Sequence, residues 1–147
     1  MEYLEVKREK KDVTGIEKVV INGVDYIRLD VVEDLFDKKE AKEFEGMNYC
    51  IIRTYSAGVF AGYIESRNEK EALLRKVRRL WYWEGACSLS QMAVDGPMKP
   101  DKCKFPVEVD KITVTEVIEV LRCTEKARLA IANVPVWRID EKGELTV

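Results

Sequence analysis

No histidine occurs in this chain, and its absence removes a large share of protein chemistry. A Ser-His-Asp or Cys-His nucleophile pair, an imidazole metal ligand and an imidazole general base are all excluded. Cysteine is sparse. Cys50, Cys87, Cys103 and Cys123 lie far apart with no C-x-x-C pair, so neither a zinc knuckle nor a redox motif is encoded. The expectation is a set of reduced, mostly buried thiols. No apolar run approaches the roughly 20 residues that cross a bilayer. The N-terminal MEYLEVKREKK carries charge with no apolar segment after it, unlike a secretion signal. These absences predict a cytoplasmic protein without membrane attachment.

What is present belongs to the soluble globular class: 46% of residues are hydrophobic and 35% charged, well away from disordered or fibrous compositions. A length of 147 residues suits one domain with a real core plus an appendage. The net charge of −2 is unevenly spread: residues 1–46 carry −4, residues 47–83 carry +4 and residues 84–147 carry −2. A weakly acidic total argues against a general nucleic-acid binder, which needs many cations on one face. A local basic site for a small anion remains, in the segment that also holds most of the aromatics.

Residues 1–15 are charged and aperiodic and are expected to be mobile. Lys18 to Ile27 then reads as two short strands joined by Asn22-Gly23, a pair suited to a two-residue turn with positive φ at both positions. Asp30 is positioned to cap a helix with apolar positions Val31, Val32, Leu35, Phe36 and, more distantly, Phe44, stopping at Gly46. From Met47, Tyr49, Ile51, Arg53 and Tyr55 share one parity and Cys50 and Ile52 the other. Two strands around Ser56-Ala57-Gly58 follow, with Gly62 allowing a bulge or close approach in the second and Ser66-Arg67-Asn68 closing the pair. Residues 71–83 fit a helical stripe through Leu73, Leu74, Val77, Leu80 and Trp81, and equally a strand face through Val77, Arg79, Trp81 and Trp83. The aromatics and the short preceding turn favour a strand.

A helix is expected from Ala86 to Val94, with Ser88 as N-cap, Gln91 three residues on, and Gly96-Pro97 as its end. Pro97, Pro100 and Pro106 mark a loop. Lys111 to Cys123 is rich in β-branched residues and reads as strand, and Thr124 caps a short helix ended by Asn133 and Val134-Pro135. Residues 139–147 read as a polar tail.

The chemistry concentrates in KVRRLWYWEGACSLSQMAV, residues 76–94. Arg78 and Arg79 beside Trp81, Tyr82 and Trp83 suit a nucleotide clamp, with guanidinium groups on phosphate and rings stacking on the base. The helix start at Ser88 would add backbone N–H groups for an anion. The bland reading puts the tryptophans in a core or interface and the arginines on solvated surface. Arg53 beside the Ser56-Ala57-Gly58 turn offers a second anion-binding arrangement, although turn chemistry alone accounts for the glycine. Cys87 lacks a histidine base, and Glu116 with Glu119, or Asp95 with Asp101, read as surface charges. No metal-ligand spacing and no cofactor motif is present.

RTYSAGVFAGYIESRN at 53–68, RRLWYWEGACSLSQMA at 78–93, CKFPVEV at 103–109 and EVIEVLRCTEKARLAIANVPVW at 116–137 carry a resemblance. Together they are similar to a family of small, uncharacterised proteins of tailed phages and prophages, over about residues 47–138. The resemblance implies a phage or prophage accessory context inside the host cell and no established activity.

The sequence therefore predicts an α+β fold: a single small domain over 47–138 with an antiparallel sheet and two short helices. An N-terminal hairpin and helix precede it over 1–46, and a polar tail follows over 139–147. The functional expectation is a non-enzymatic accessory module that holds a small nucleotide-like anion within a homo-oligomer to counter host defence. Its site residues would be Arg53, Arg78, Arg79, Trp81, Trp83 and Ser88. The alternatives are an inhibitor of a host protein docking through the aromatic cluster, an enzyme acting on nucleotides or phosphoesters through carboxylates, for which no ligand spacing speaks, and a nucleic-acid-binding accessory protein.

Overall fold

Alternation along Tyr49–Thr54 sets the architecture, because both faces of this strand are buried except at Arg53. A strand covered on both sides needs a layer on each. The computed structural model, which describes residues 6–8, 19–30, 32 and 38–146, supplies one layer from helices and the other from the sheet itself.

The chain divides into two compact units, Met1–Phe36 and Asp37–Val147. The first holds a three-stranded antiparallel sheet, β1 (Val6–Arg8), β2 (Val19–Ile21) and β3 (Val24–Tyr26), in that order. Asn22 and Gly23 join β2 to β3 at φ 52° and 76°, the two-residue turn expected of Asn-Gly. Helical backbone begins at Leu29, where the Val32 amide donates to the Arg28 carbonyl at 3.1 Å. The Arg28 guanidinium grips the Asp30 carboxylate at 2.6 and 3.0 Å. The expected helix through Val31, Leu35 and Phe36 falls outside the described residues.

The second unit is a five-stranded antiparallel sheet: β4 (Tyr49–Thr54), β5 (Val59–Asn68), β6 (Glu71–Arg79), β7 (Val109–Val114) and β8 (Val117–Arg122), in the order β7-β6-β5-β4-β8. The two outer strands are consecutive in sequence, separated only by Thr115 and Glu116. A two-residue link between opposite edges requires the sheet to curl until those edges meet. Three irregularities assist the curl, at Arg53/Thr54, Ala61/Tyr63 and Ile64/Ser66, since bulges bend a strand and increase its twist. The single strand expected over 111–123 is thus two strands on opposite edges. The 71–83 segment is strand only as far as Arg79, and Ser66 to Asn68 lie within β5, with the turn at Glu69 and Lys70.

Cys50, Ile52, Phe60, Leu74, Val77, Val114 and Val117 fill the inside of the curl. Tyr49, Ile51, Ala61 and Tyr63 face the other way, against helices α1 (Leu89–Asp95) and α2 (Glu125–Ala132). Ser88 and Thr124 are the N-caps, accepting from Gln91 N and Ala127 N. From α1 to β7 runs a loop with a 3₁₀ turn at Pro100–Lys102. Residues 38–47 join this unit: Ala41 N donates to Cys123 O at 3.0 Å and Glu125 N to Lys39 O at 2.9 Å. Phe44 therefore lies in a tight turn, closed by reciprocal bonds to Met47, rather than on a helix. Residues 139–147 are more than a tail, since β9 (Arg138–Ile139) and β10 (Leu145–Thr146) pair as a small hairpin. The fold is α+β, and among the described residues no helix is long and apolar enough to cross a membrane.

Candidate functional site

The residues picked from sequence do not assemble into one site. Arg78 is 5% exposed and its donors are spent on backbone carbonyls. Nη1 reaches Ile131 at 2.8 Å and Val134 at 2.9 Å, Nη2 reaches Phe105 at 2.9 Å and Pro135 at 3.4 Å, and Nε reaches Pro106 at 3.3 Å. It pins the end of α2 and the Phe105 loop to β6. Arg79, its neighbour in a strand, points to the opposite face. Its guanidinium bonds the Ala57 carbonyl and covers the Phe60 ring at 4.5 Å, so the two arginines cannot clamp one phosphate. Arg53 pairs with Glu119 at 3.3 Å across exposed sheet. Ser88 is committed to capping α1. Trp83 is half-buried against the helix-side core, whereas Trp81 is 64% and Tyr82 45% exposed. Near them Lys104 stands 5.5 Å from the Tyr82 ring and 5.7 Å from the Trp137 ring.

The site with more converging chemistry lies elsewhere. A cleft of about 400 Å³ opens beside the helix-side core, within the size range of small-molecule sites. Tyr49 and Tyr63 form its floor, with centroids 5.1 Å apart and edge-on geometry, and Phe44 extends it 5.4 Å from Tyr63. The two tyrosines come from neighbouring strands, where they are register partners. Lys42, Glu43, Lys76 and Glu108 stand around the rim, with Arg78, Arg128 and Ala132 completing the lining.

Lys76 reaches this cleft through an irregular backbone. Along β6, Lys76 and Val77 together oppose Gly62 of β5, and Lys76 takes the extra position at φ 49°. Positive φ is uncommon outside glycine and costs roughly 1–2 kcal/mol. The bulge turns the side chain toward the cleft, and its ammonium lies 4.3 Å from the Phe44 centroid. Gly62 permits it: a Cβ there would stand 3.0 Å from the Arg75 carbonyl and 3.1 Å from the Val77 Cα.

Glu125 organises the opposite wall. Its carboxylate accepts from the Lys42 amide at 2.5 Å and from Arg128 Nε at 3.0 Å, with a second bond from Arg128 Nη2. The Arg128 guanidinium, and after it the Lys42 amide, hold the Glu125 carboxyl down at about 2. In return Arg128 is held above its ordinary value. Burial pushes the Tyr49 phenol well up, so it remains a hydrogen-bond donor. Neither the Lys42 nor the Lys76 ammonium makes an ion pair among the described residues. The cleft thus offers aromatic surface, phenol donors and two uncommitted cations. No group of three or more Cys, Asp or Glu is placed to hold a metal among the described residues.

Sequence reasoning noted Tyr49 and the irregularity at Gly62 but missed Lys42, Phe44, Tyr63, Lys76 and Arg128 as a group. The glycine was the only signal that could have pointed to Lys76.

No curated protein and no solved structure matches the chain. Residues 47–131 match the model of a family described as a domain of unknown function, DUF6948. Tyr49, Tyr63, Lys76, Arg78, Glu108 and Arg128 lie inside that stretch, while Lys42, Glu43, Phe44 and Ala132 lie outside it. With more than half of its length covered, the chain belongs to the DUF6948 family.

Proposed function

We propose that this protein is a non-enzymatic binding module that holds a small organic anion with a flat ring, nucleotide-like in size, in the cleft between Phe44, Lys76 and Lys42. One observation carries the reading: two ammonium groups without ion-pair partners among the described residues flank a floor of three aromatic rings in a cleft of about 400 Å³. Lysines that lack carboxylate partners favour an anion, and aromatic surface with phenol donors suits a flat polar ring. The strained conformation at Lys76 supports the same reading, since backbone strain persists where surrounding structure enforces it and concentrates at ligand sites.

In the setting implied by the sequence resemblance, the module is a phage or prophage accessory protein. It withdraws its ligand from host-defence signalling, as a homo-oligomer in the host cytoplasm. Native mass spectrometry on gently purified protein, with denaturation to release bound molecules, reads both the adduct and the number of copies. Titration calorimetry with a nucleotide panel then tests the cleft directly, and a flat response to every member sinks the reading.

The exposure of Trp81 and Tyr82 favours a second reading, docking of a host protein. Exposed aromatics are common binding hot spots. A partner captured by wild-type protein and lost with Trp81→Ala supports it.

A further inference from the structure

Resting on the cleft reading above, we infer that the anionic group the cleft selects is a phosphate monoester dianion, in preference to a carboxylate or a phosphodiester. Which cations are free, and which are spent, carries the inference.

A guanidinium fork matches carboxylate and phosphate alike, so the preference over a carboxylate rests on charge: a carboxylate brings one negative charge to a cleft that offers two ammonium groups. At this cleft the Arg78 fork is fully spent and the Nε–Nη2 edge of Arg128 is engaged. Arg78 donates to five carbonyls, and Arg128 presents Nε and Nη2 to Glu125. Beside the outer edge of Arg128, Lys42 and Lys76 supply two point charges with three rotatable donors each. Two ammonium groups match two negative charges on one group, and their six N–H donors with the Tyr49 and Tyr63 phenols suit three terminal phosphate oxygens. A phosphodiester offers two such oxygens and a single charge. Glu43 and Glu108 on the rim disfavour charge spread along the ligand and accept from the hydroxyl groups of a neutral remainder.

The absence of histidine makes the inference testable by pH. The charged groups facing the phosphate position are Lys42, Lys76, Arg78 and Arg128 against Glu43, Glu108 and Glu125, with Tyr49 and Tyr63 beneath. None of these residue types ordinarily titrates between about pH 5 and 8. A phosphate monoester does, with a second pKa of about 6. A change in affinity across that window therefore reports the ligand's own second charge.

The test is calorimetry with the four common nucleoside 5′-monophosphates, the 3′,5′-cyclic monophosphates and the parent nucleosides, at about pH 7.5 and about pH 5. Expected is a monophosphate that binds at least about tenfold more tightly than its cyclic diester and loses roughly tenfold in affinity at the lower pH, as its dianion falls to about a tenth. Lys42→Gln with Lys76→Gln, checked for an unchanged melting profile, is expected to erase both differences. Equal binding of monoester and diester, or affinity indifferent to pH, overturns the dianion inference while leaving the cleft reading intact. Absence of binding by every member overturns both.

Discussion

The ammonium of Lys76 lies 4.3 Å from the centroid of the Phe44 ring, and it reaches that position only because Lys76 occupies a bulge at φ 49°. A regular strand would place Lys76 in register with Gly62 and send its side chain elsewhere. One cation–π contact at an exposed site contributes about 0.5–1 kcal/mol, which offsets at most part of the roughly 1–2 kcal/mol that left-handed backbone costs a lysine. The remaining cost fits a position kept for binding rather than for stability.

Lys76→Gly separates these two roles. Glycine adopts positive φ without penalty, so the variant is expected to melt at the same temperature or up to about 5 °C higher while binding anions about tenfold more weakly. Differential scanning calorimetry beside ligand titration reads both. A melting point several degrees lower would mean that Lys76 holds the fold together.

Gly62→Ala is expected to lower stability by about 1–3 kcal/mol in urea unfolding, because the added methyl meets the backbone of Arg75 and Val77 at 3.0 and 3.1 Å and backbone yields poorly. A neutral result would show that β5 and β6 can part at this point.

Arg78→Ala leaves the carbonyls of Phe105, Ile131 and Val134 without their buried donor and opens a cavity beside the Phe105 ring. The expected loss is about 3–5 kcal/mol. Arg78→Lys rescues only a minority of it, since an ammonium cannot span five acceptors. Chemical denaturation distinguishes this from a solvated surface arginine, for which either change would cost less than about 0.5 kcal/mol.

Glu125 gives the fold a dependence on acid. Its carboxyl is held at about 2 in the folded protein, below its ordinary value of 4.5, chiefly by Arg128. A group with a depressed folded pKa stabilises the fold above its unfolded pKa and loses that contribution as pH falls toward the folded value. Stability is expected to decline between about pH 4.5 and pH 2, with Glu125 contributing on the order of 2–3 kcal/mol. Glu125→Gln should flatten that part of the profile. A variant whose profile overlays the wild type would remove Glu125 as the cause.

Local chemistry made much of the fold legible. Asn22-Gly23 announced its turn, Ser88 and Thr124 their caps, and the alternation from Tyr49 its strand, because each depends on neighbours within a few residues. The break at Thr115 and Glu116 was not legible, since β-branched residues run on both sides and only pairing shows that the two halves join opposite edges. That the residues picked from sequence do not converge has a similar reason. Adjacent arginines suggest convergence in sequence, but strand alternation sends Arg78 inward to carbonyls and Arg79 to the turn at Ala57. The proposed cleft draws on Lys42, Phe44, Tyr63, Lys76 and Arg128, residues that are brought together by register, a bulge and a helix.

The most direct test is amide and indole NMR of the full chain during titration with a nucleoside monophosphate. Saturable shifts are expected at Phe44, Tyr49, Tyr63 and Lys76, with the Trp81 indole unmoved. Shifts confined to Trp81 and Tyr82, or no saturable shift with any member of the panel, would contradict the assignment of the cleft as the binding site.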